Sequence, residues 1–501
     1  MPISAALTVV ALAVTLASTA VAGSIGKVLA PGRPVAAAAG RPITIASKPT
    51  GAPIPAGFVG LSVEYRSLEA YAGGNPQAIN PLFVQLLRNL APGQNFELRV
   101  GGDSTDQTWA PYGHKRRPDG VRFDVTPRWL AVLHSLTSAL SARVIIGIDL
   151  RAGNTALAAA EARALTNAVG RQRVEALEIG NEPELYGSFA WYVLHGQKFF
   201  NRPPNYDFSA FLSDFSRFAR ALPGQPLAGP STGDVDWMTN LDRFLRAEPR
   251  VQVATLHRYP LKRCMPSVHL TAGQLLAESS SRGLADLIGG YARVAHAHHV
   301  PLRLDETGTI SCGGQTGLDD TFATSLWALD AMFELARAGV DGVNVHSLPR
   351  LTNHLFSFTQ SHGKWIAKVS PIYYGLAAFA QAAPPGARLL SVSGAPSGVK
   401  MWATRSSDGQ VRVVLINKQT AHGATMSLRV PAAGSGLVER LRAPSIRSKQ
   451  DVTLGGVSFS GQAATGTVTG GARPELVAPR GGRYSVTVPA ASAAVITFAG
   501  H

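Results

Sequence analysis

Eight short β-branched runs alternate with longer helical patterns between residues 58 and 380. This alternation predicts parallel strands joined by crossover helices. Eight such units over roughly 250 or more residues favour a closed (β/α)8 barrel over an open sheet. No GxGxxG motif follows the first run, so a dinucleotide-binding fold lacks its phosphate turn. The predicted strands are 58–63, 96–100, 143–148, 174–179, 226–229, 252–256, 301–304 and 342–345, and the predicted helices include 80–90, 127–140, 156–169, 284–298 and 321–338.

Polar side chains follow seven of the eight runs at their carboxyl ends. In a (β/α)8 barrel the catalytic groups come from this end of the strands. We therefore expect one site lined with acids and hydrogen-bonding groups. In chain order these side chains are Glu64, Arg99, Asp103, Asp149, Asn181, Glu182, His257, Tyr259, Asp305, Glu306, Asn344 and His346.

The helical rhythm stops near residue 385. The stretches 411–416, 425–430, 484–488 and 494–498 alternate in polarity between turns of Gly, Pro and Ser, which predicts an antiparallel β-sandwich. A strand at 41–50 has no partner within the barrel, so we expect it to join the sandwich. The predicted domains are thus a catalytic barrel at 51–384 and a β-sandwich at 385–501.

The N-terminal segment is almost continuously apolar from residue 5 to residue 21 and ends in Ala20-Val21-Ala22. This pattern predicts a signal peptide at 1–22, followed by an Ala/Pro/Gly-rich linker at 23–40. The alternative is an uncleaved anchor, because about 17 to 25 apolar residues can span a bilayer. Either interpretation places the rest of the chain outside the cytoplasm as a secreted or extracytoplasmic protein.

The chain contains two cysteines, Cys264 and Cys312. In an exported protein such a pair favours a disulfide over two buried free thiols. No CxxC or HxxxH spacing accompanies them, so no zinc site is predicted.

The net charge is +15, from 47 Lys and Arg against 32 Asp and Glu. Only 16% of the residues are charged, against about 25% in an average chain, so the excess comes from scarce acids. Runs of five or six like charges and nucleic-acid-binding motifs are absent, which argues against nucleic acid as a partner. The positive balance is instead suited to steering an anionic saccharide by long-range attraction.

Glu182 and Glu306 follow the fourth and seventh runs, within Asn181-Glu182-Pro183 and Asp305-Glu306. These two strands lie across the barrel mouth from each other, so both side chains can converge on one bond. That arrangement suits glycoside cleavage, in which one carboxylic acid protonates the leaving oxygen and a carboxylate about 5 to 5.5 Å away attacks the anomeric carbon. Asn181 is suited to hold a sugar hydroxyl. This chemistry needs no metal or cofactor, and none is predicted.

The ordered motifs resemble those of glycoside hydrolase family 79, the heparanases and β-glucuronidases. They are the segments 59–64, 99–106 and 256–259, Asn181-Glu182-Pro183, and Asp305-Glu306 followed by Ser311-Cys312-Gly313-Gly314. The resemblance implies that Glu182 is the acid/base and Glu306 the nucleophile of a retaining enzyme. It further implies that Glu64, Asn181, His257 and Tyr259 contact the sugar or orient the carboxylates, and that backbone N–H groups near Gly313 and Gly314 receive a uronate carboxylate. From their positions at strand ends we expect Asp103 and His346 to line the same site.

One departure concerns Ser311, which stands where the family has a tyrosine that contacts the uronate. A related enzyme for a neutral sugar therefore remains an alternative, as does a catalytically silent polysaccharide-binding barrel. We also expect Arg99 and Glu178 to form a supporting ion pair and Tyr259 to donate a hydrogen bond to Glu306. The substrate would be an oligosaccharide, polysaccharide or small glycoside, and the sequence leaves the oligomeric state open.

Overall fold

The structure is a computed structural model that describes residues 42–109, 117, 119–222, 224–460 and 474–500. The predicted signal peptide and linker lie outside the described residues. Within the described part of the chain, no helix combines the length and the apolar character needed to cross a membrane.

Eight strands form a closed parallel barrel in which each strand pairs with the next and the eighth pairs with the first, as predicted. Several strands extend beyond the apolar runs that were predicted, because the polar residues at their carboxyl ends also pair with the neighbouring strand. His257 on one strand, for example, is in register with Glu306 on the next. Barrel strands 1 to 8 are Val59–Glu64, Glu97–Gly101, Arg143–Ile148, Val174–Ile179, Leu227–Thr232, Val251–His257, Leu302–Thr307 and Gly342–Ser347.

Helices cover the outside of the barrel, and the five predicted helices match the observed ones within two residues at each end. Asn80 and Asn154 cap two of them by accepting hydrogen bonds from backbone N–H groups of the first turn, which fixes where those helices begin. The α-helices are Leu68–Ala72, Pro81–Leu90, Pro127–Ala139, Thr155–Val169, Phe208–Ala221, Val235–Met238, Leu241–Ala247, Ala272–Leu276, Leu284–Ala297, Ala323–Arg337 and Pro371–Ala382. Shorter helical turns are Tyr65–Ser67, Thr105–Gln107, Arg171–Arg173, Pro183–Leu185 and the π turn Ser279–Gly283.

Small two-stranded sheets lie in the loops that follow the carboxyl ends of barrel strands. Because these loops leave the same end of the barrel, their sheets build a rim around the mouth. The pairs are Thr108–Trp109 with Phe123–Asp124, Tyr192–Leu194 with Gln197–Phe199, Leu261–Lys262 with Ile310–Ser311, and Phe356–Ser361 with Lys364–Val369.

The predicted accessory β domain is present, and Ile43–Thr50 joins it as expected. This strand pairs antiparallel with Arg388–Ser393 and parallel with Ala424–Arg429. It thereby connects the two halves into one continuous ten-stranded sheet that folds over its own core, with the Tyr484 and Phe498 rings 4.7 Å apart. The other strands are Val399–Arg405, Val411–Asn417, Gly436–Arg442, Thr453–Leu454, Glu475–Val477, Tyr484–Val488 and Ser492–Phe498.

A buried polar contact joins the two domains at Asp330 on helix Ala323–Arg337. Its carboxylate pairs with Lys418 Nζ at 2.7 Å and accepts hydrogen bonds from Trp402 Nε1 at 2.9 Å and Ser281 Oγ at 2.7 Å. Asp330 is fully buried, so its charge depends on these three partners. The contact holds the β domain against the barrel.

We expect Asp330→Ala to lower the free energy of unfolding by about 3 kcal/mol, because it leaves Lys418 without its buried partner. The exposed Asp286, which pairs with Arg337, is a matched control; its alanine variant should change stability by about 0 to 1 kcal/mol. Urea unfolding followed by circular dichroism measures both. Equal effects of the two substitutions would contradict a stabilising role for the domain contact.

Candidate active site

Glu182 and Glu306 converge at the mouth of the barrel. A carboxylate oxygen of each, together with a ring nitrogen of His257, lie within 4.8 Å of one another. Glu306 lies on barrel strand 7 and is buried. Glu182 lies in the turn after barrel strand 4, with φ of 45°, and its backbone N–H donates to the Ser231 carbonyl at 2.9 Å. The site thus combines one carboxylate on a paired strand with one on a tight turn.

Arg99 lies at the centre of this site, fully buried on barrel strand 2. Its Nε is 2.7 Å from Glu178 and 3.1 Å from Asp305, and its Nη1 donates to Glu306 Oε2 at 2.8 Å. Its Nη2 donates to Asn181 Oδ1 at 2.9 Å. Burial lowers the pKa of Arg99, but the neighbouring carboxylates raise it further, so the guanidinium stays charged. The pair with Glu178 was expected, and the contacts with Asp305 and Glu306 extend it to the carboxylates of barrel strand 7.

The surroundings of Glu306 favour its ionised form. Burial raises the pKa of this carboxyl, yet the charges of His346, His257 and Arg99 together hold it well below its ordinary value. Tyr259 donates a hydrogen bond to Glu306 Oε1 at 3.1 Å, the contact that the sequence predicts. A carboxylate held in this way is ionised and fixed in orientation, as a nucleophile must be.

His257 connects the two glutamates. Its Nδ1 lies 3.2 Å from Glu182 Oε1. Burial and the charge of Arg99 lower the pKa of this imidazole. Glu306, Asp305 and Glu182 raise it by more, so the pKa is about 9. His257 is therefore protonated near neutral pH and donates to Glu182.

Asp305 and Glu178 share the remaining charge beside Arg99. Burial and the nearby Glu178 raise the pKa of Asp305 well above its usual range. For Glu178, burial acts in the same direction, but Arg99 outweighs it and lowers the pKa. One of the two acids therefore holds a proton, and Glu178 and Glu306 supply the negative charges that face Arg99 and His257.

A central cavity of about 420 Å³ opens beside Glu306. Glu64 shapes one wall, where its carboxylate accepts hydrogen bonds from the backbone N–H groups of Asp103 at 3.1 Å and Ser104 at 2.7 Å. Burial and the neighbouring Glu64, Glu306 and Glu182 raise the pKa of Asp103 to about 7. The residues expected around a sugar that line this cavity are Glu64, Asp103, Asn181, Tyr259, Ser311, Gly313 and His346.

Gly314, which the sequence groups with Gly313, lines a neighbouring cavity together with Arg263 and Arg350. Its φ is 81°, and a Cβ there would collide with the carboxylate of Asp319. The glycine is thus required by backbone conformation and close packing. Of the pair, Gly313 is the one that borders both cavities.

The predicted disulfide between Cys264 and Cys312 is present, with Cα atoms 5.1 Å apart. It joins the loop after barrel strand 6 to the loop after barrel strand 7, beside the pairing of Leu261–Lys262 with Ile310–Ser311. This cross-link fixes the part of the rim that carries Ser311.

Two groups of side chains have the composition of a metal site, namely Glu178, His257 and Asp305, and Glu182, His257 and Glu306. Arg99 already binds three of these four carboxylates. The positive charge that a metal would bring is supplied by the protein itself. The donor set therefore does not suit a divalent ion.

Comparison with known proteins agrees with the site. Residues 401–495 match the glycosyl hydrolase family 79 C-terminal beta domain. A β-glucuronidase of Neurospora crassa is 24% identical over 480 residues, which span 85% of this chain and 82% of that protein. The crystal structure of a 4-O-α-L-rhamnosyl-β-D-glucuronidase from Fusarium oxysporum matches with a TM-score of 0.73 and 19% identity, over 91% of this chain and 100% of the other. The chain is thus a glycoside hydrolase whose C-terminal β domain matches that of family 79.

The hydrolase also shares its fold with a family 51 arabinofuranosidase from Xanthomonas axonopodis pv. citri. That structure matches with a TM-score of 0.62 and 16% identity, over 91% of this chain and 99% of the other. The barrel and its β domain are thus common to glycoside hydrolases of more than one family.

Several residues of the hydrolase's site were not predicted from the sequence. Ser62 and Ser231 accept hydrogen bonds from Arg99 at 3.1 and 3.3 Å. Ser62 lies two residues before Glu64 on barrel strand 1, so the two-residue period of a strand could have placed it on the same face. Arg151 and Phe189 also line the central cavity, and both lie in loops where no periodic signal exists.

The protonated His257 makes the stability of the hydrolase depend on pH. Its pKa of about 9 in the folded state exceeds the ordinary value of 6.5, so its contribution is complete below about pH 6.5 and is lost as the pH rises through 9. We expect His257→Gln to lower the free energy of unfolding more at pH 6 than at pH 9.5, by roughly 1 to 3 kcal/mol. Urea titrations of both proteins at the two pH values measure the difference. A pH-independent difference would contradict a protonated His257.

Proposed function

We propose that the hydrolase is a retaining β-glucuronidase that cleaves β-linked glucuronides by double displacement. The observation that carries this proposal is the approach of Glu182 and Glu306, whose nearest oxygens lie within 4.8 Å. Retaining enzymes hold their two carboxyl groups about 5 to 5.5 Å apart, whereas inverting enzymes leave about 6.5 to 9.5 Å for a water molecule. The observed spacing supports direct attack by a carboxylate.

In the first step Glu306 attacks the anomeric carbon while Glu182 donates its proton to the glycosidic oxygen. The bond from the anomeric carbon to that oxygen breaks, and an ester bond to Glu306 forms. Arg99 and Tyr259 already bind the two oxygens of Glu306, so its orientation is set before the sugar arrives. The leaving group departs as a neutral alcohol.

In the second step Glu182, now ionised, takes a proton from water, and the resulting nucleophile attacks the anomeric carbon. The ester bond to Glu306 breaks, and Glu182 regains the proton that it used in the first step. His257 lies 3.2 Å from Glu182 in the resting site and stabilises the negative charge that Glu182 carries between the two steps.

Asn181 is arranged to bind the sugar beside the reacting carbon. Its amide oxygen already accepts from Arg99, so its N–H groups are the part left for a sugar hydroxyl. One of them lies 3.5 Å from Asp103 Oδ1, on the wall of the central cavity. A hydroxyl next to the anomeric carbon would therefore receive a hydrogen bond as charge develops.

The preference for a glucuronide is supported by the two related glucuronidases and by the position of Ser311 and Gly313 in the central cavity. A serine hydroxyl and a backbone N–H are donors suited to a carboxylate. A neutral sugar is the second candidate, because Ser311 has a shorter reach than a tyrosine.

We also propose that the enzyme is exported, with residues 1–22 acting as a signal peptide. The support is the apolar N-terminal segment and the disulfide, since disulfides persist mainly in oxidising compartments. Intact-mass analysis of protein purified from the culture medium tests this proposal. A chain retained in the cytoplasm with residues 1–22 attached would contradict it.

The catalytic assignment predicts different rescue chemistry for the two glutamates. Glu182→Ala and Glu306→Gly should each lower kcat by at least about a thousandfold, while the exposed control Glu69→Gln should not. Azide should rescue Glu182→Ala with a β-glycosyl azide product and Glu306→Gly with an α-glycosyl azide product. Proton NMR of the anomeric centre distinguishes them. Normal turnover in either folded variant would overturn the assignment.

The sugar preference is tested with 4-nitrophenyl β-glucuronide, β-glucoside and α-arabinofuranoside at matched concentrations. We expect the highest kcat/KM for the glucuronide. Ser311→Ala should lower kcat/KM for the glucuronide by roughly three- to thirtyfold, because a hydrogen bond to a charged group is lost, and should leave the glucoside unaffected. A wild-type preference for either neutral glycoside would reject the glucuronide and retain the second candidate.

A further inference from the structure

Two cavities meet at Glu182. The central cavity contains Glu306, while a second cavity of about 430 Å³ is lined by Glu182, His257 and Tyr259. Glu306 is absent from the described residues that line the second cavity. An acid catalyst protonates the leaving oxygen, whereas the nucleophile faces the sugar that is retained. On the proposed mechanism, the second cavity therefore receives the leaving group, and we name it the leaving-group cavity.

Phe189 is the apolar residue most exposed at the junction of these cavities. It lines both of them, and 61% of its surface is accessible. Its backbone is anchored, because its N–H donates to the Leu185 carbonyl at 2.8 Å and its carbonyl accepts from Arg151. An aromatic ring on an anchored loop provides a flat surface against which another ring can stack.

The rest of the wall near Phe189 is also apolar. Leu185, Val235, Pro260 and the disulfide of Cys264 and Cys312 line the same cavity. Its volume falls within the range of small-molecule sites, which are mostly apolar with a few placed polar groups. A leaving group that enters this cavity therefore meets an apolar surface around Phe189 next to the proposed catalytic acid.

Three charged residues of the cavity are engaged with the protein backbone. Glu184 accepts from the N–H groups of Gly233 and Asp234, at 2.6 and 3.1 Å. Asp234 caps helix Val235–Met238 by accepting from two N–H groups, and Arg258 donates to the Gly233 carbonyl at 3.3 Å. These contacts hold the loop after barrel strand 5 in place, so a ligand meets the apolar wall together with Asp236 and Lys262.

We propose that the leaving-group cavity binds an uncharged aromatic aglycone, with its ring against Phe189. This inference rests on the proposed glucuronidase function and names its substrate class as glucuronides of phenolic compounds. A further sugar unit would leave much of the apolar wall without a matching surface. Phe189 is thus a specificity-determining residue for the leaving group.

The test compares 2-naphthyl β-glucuronide with methyl β-glucuronide, which share the sugar and differ in the aglycone. Phe189→Ala should lower kcat/KM roughly tenfold for the naphthyl substrate, because stacking and buried apolar area are lost, and change it less than twofold for the methyl substrate. Phe189→Tyr should restore the naphthyl value. The matched control is Phe200→Ala, since Phe200 is 46% exposed and is absent from the described lining of both cavities.

Binding of free 2-naphthol, measured by isothermal titration calorimetry, separates this inference from the proposed function. It requires no particular sugar, so it applies even if wild-type enzyme fails to hydrolyse any glucuronide. Weaker binding in Phe189→Ala but not in Phe200→Ala supports the inference. Equal binding in wild type and Phe189→Ala, or an equal loss of kcat/KM for both glucuronides, would overturn it, as would a wild-type preference for a uronate oligosaccharide that Phe189→Ala leaves unchanged.

Discussion

Arg99 carries a full positive charge in the interior of the barrel, where an uncompensated charge would cost several kcal/mol or more. Its N–H groups donate to Glu178 and Glu306, and its charge also pairs with Asp305; these three acids come from two other strands. The guanidinium therefore fixes the spacing of side chains from barrel strands 2, 4 and 7 at once. Because Arg is planar and presents its donors in fixed directions, a lysine could not hold the same three acids.

The charges of this cluster also determine which acid is ionised. Arg99 and His257 are positive, and Glu178 and Glu306 are negative, so the buried group is close to neutral when Asp305 holds a proton. Because the charges of the cluster cancel, their mutual attraction offsets much of the electrostatic cost of burial. The same cations lower the pKa of Glu306, so the interaction that makes burial tolerable also prepares the nucleophile.

The barrel and the convergence of Glu182 and Glu306 at its mouth could be predicted from the sequence because both depend on local patterns. Alternating runs define the strands, and the parallel arrangement brings their carboxyl ends to one mouth, as His257 and Glu306 show. The contacts of Arg99 with Asp305 and Glu306 depend on which way a long side chain points inside a closed barrel, which no local pattern encodes. Phe189 lies in a loop whose path is set by its long-range contact with Arg151, so its place at the cavity had no sequence signal.

The two glutamates differ in support in a way that matches their proposed tasks. Glu306 lies on a hydrogen-bonded strand, with cations and a hydroxyl around it, where it is ionised before the attack and stays fixed in position while its ester forms and breaks. Glu182 lies on a turn, with 24% of its side chain exposed, and is held by the Ser231 carbonyl and His257. An acid that gives up a proton and recovers one from water in every turnover needs access to solvent, which a strand position in the interior would deny. The division between strand and turn therefore separates the proposed nucleophile, which must keep its position while an ester forms and breaks, from the proposed acid, whose proton must exchange.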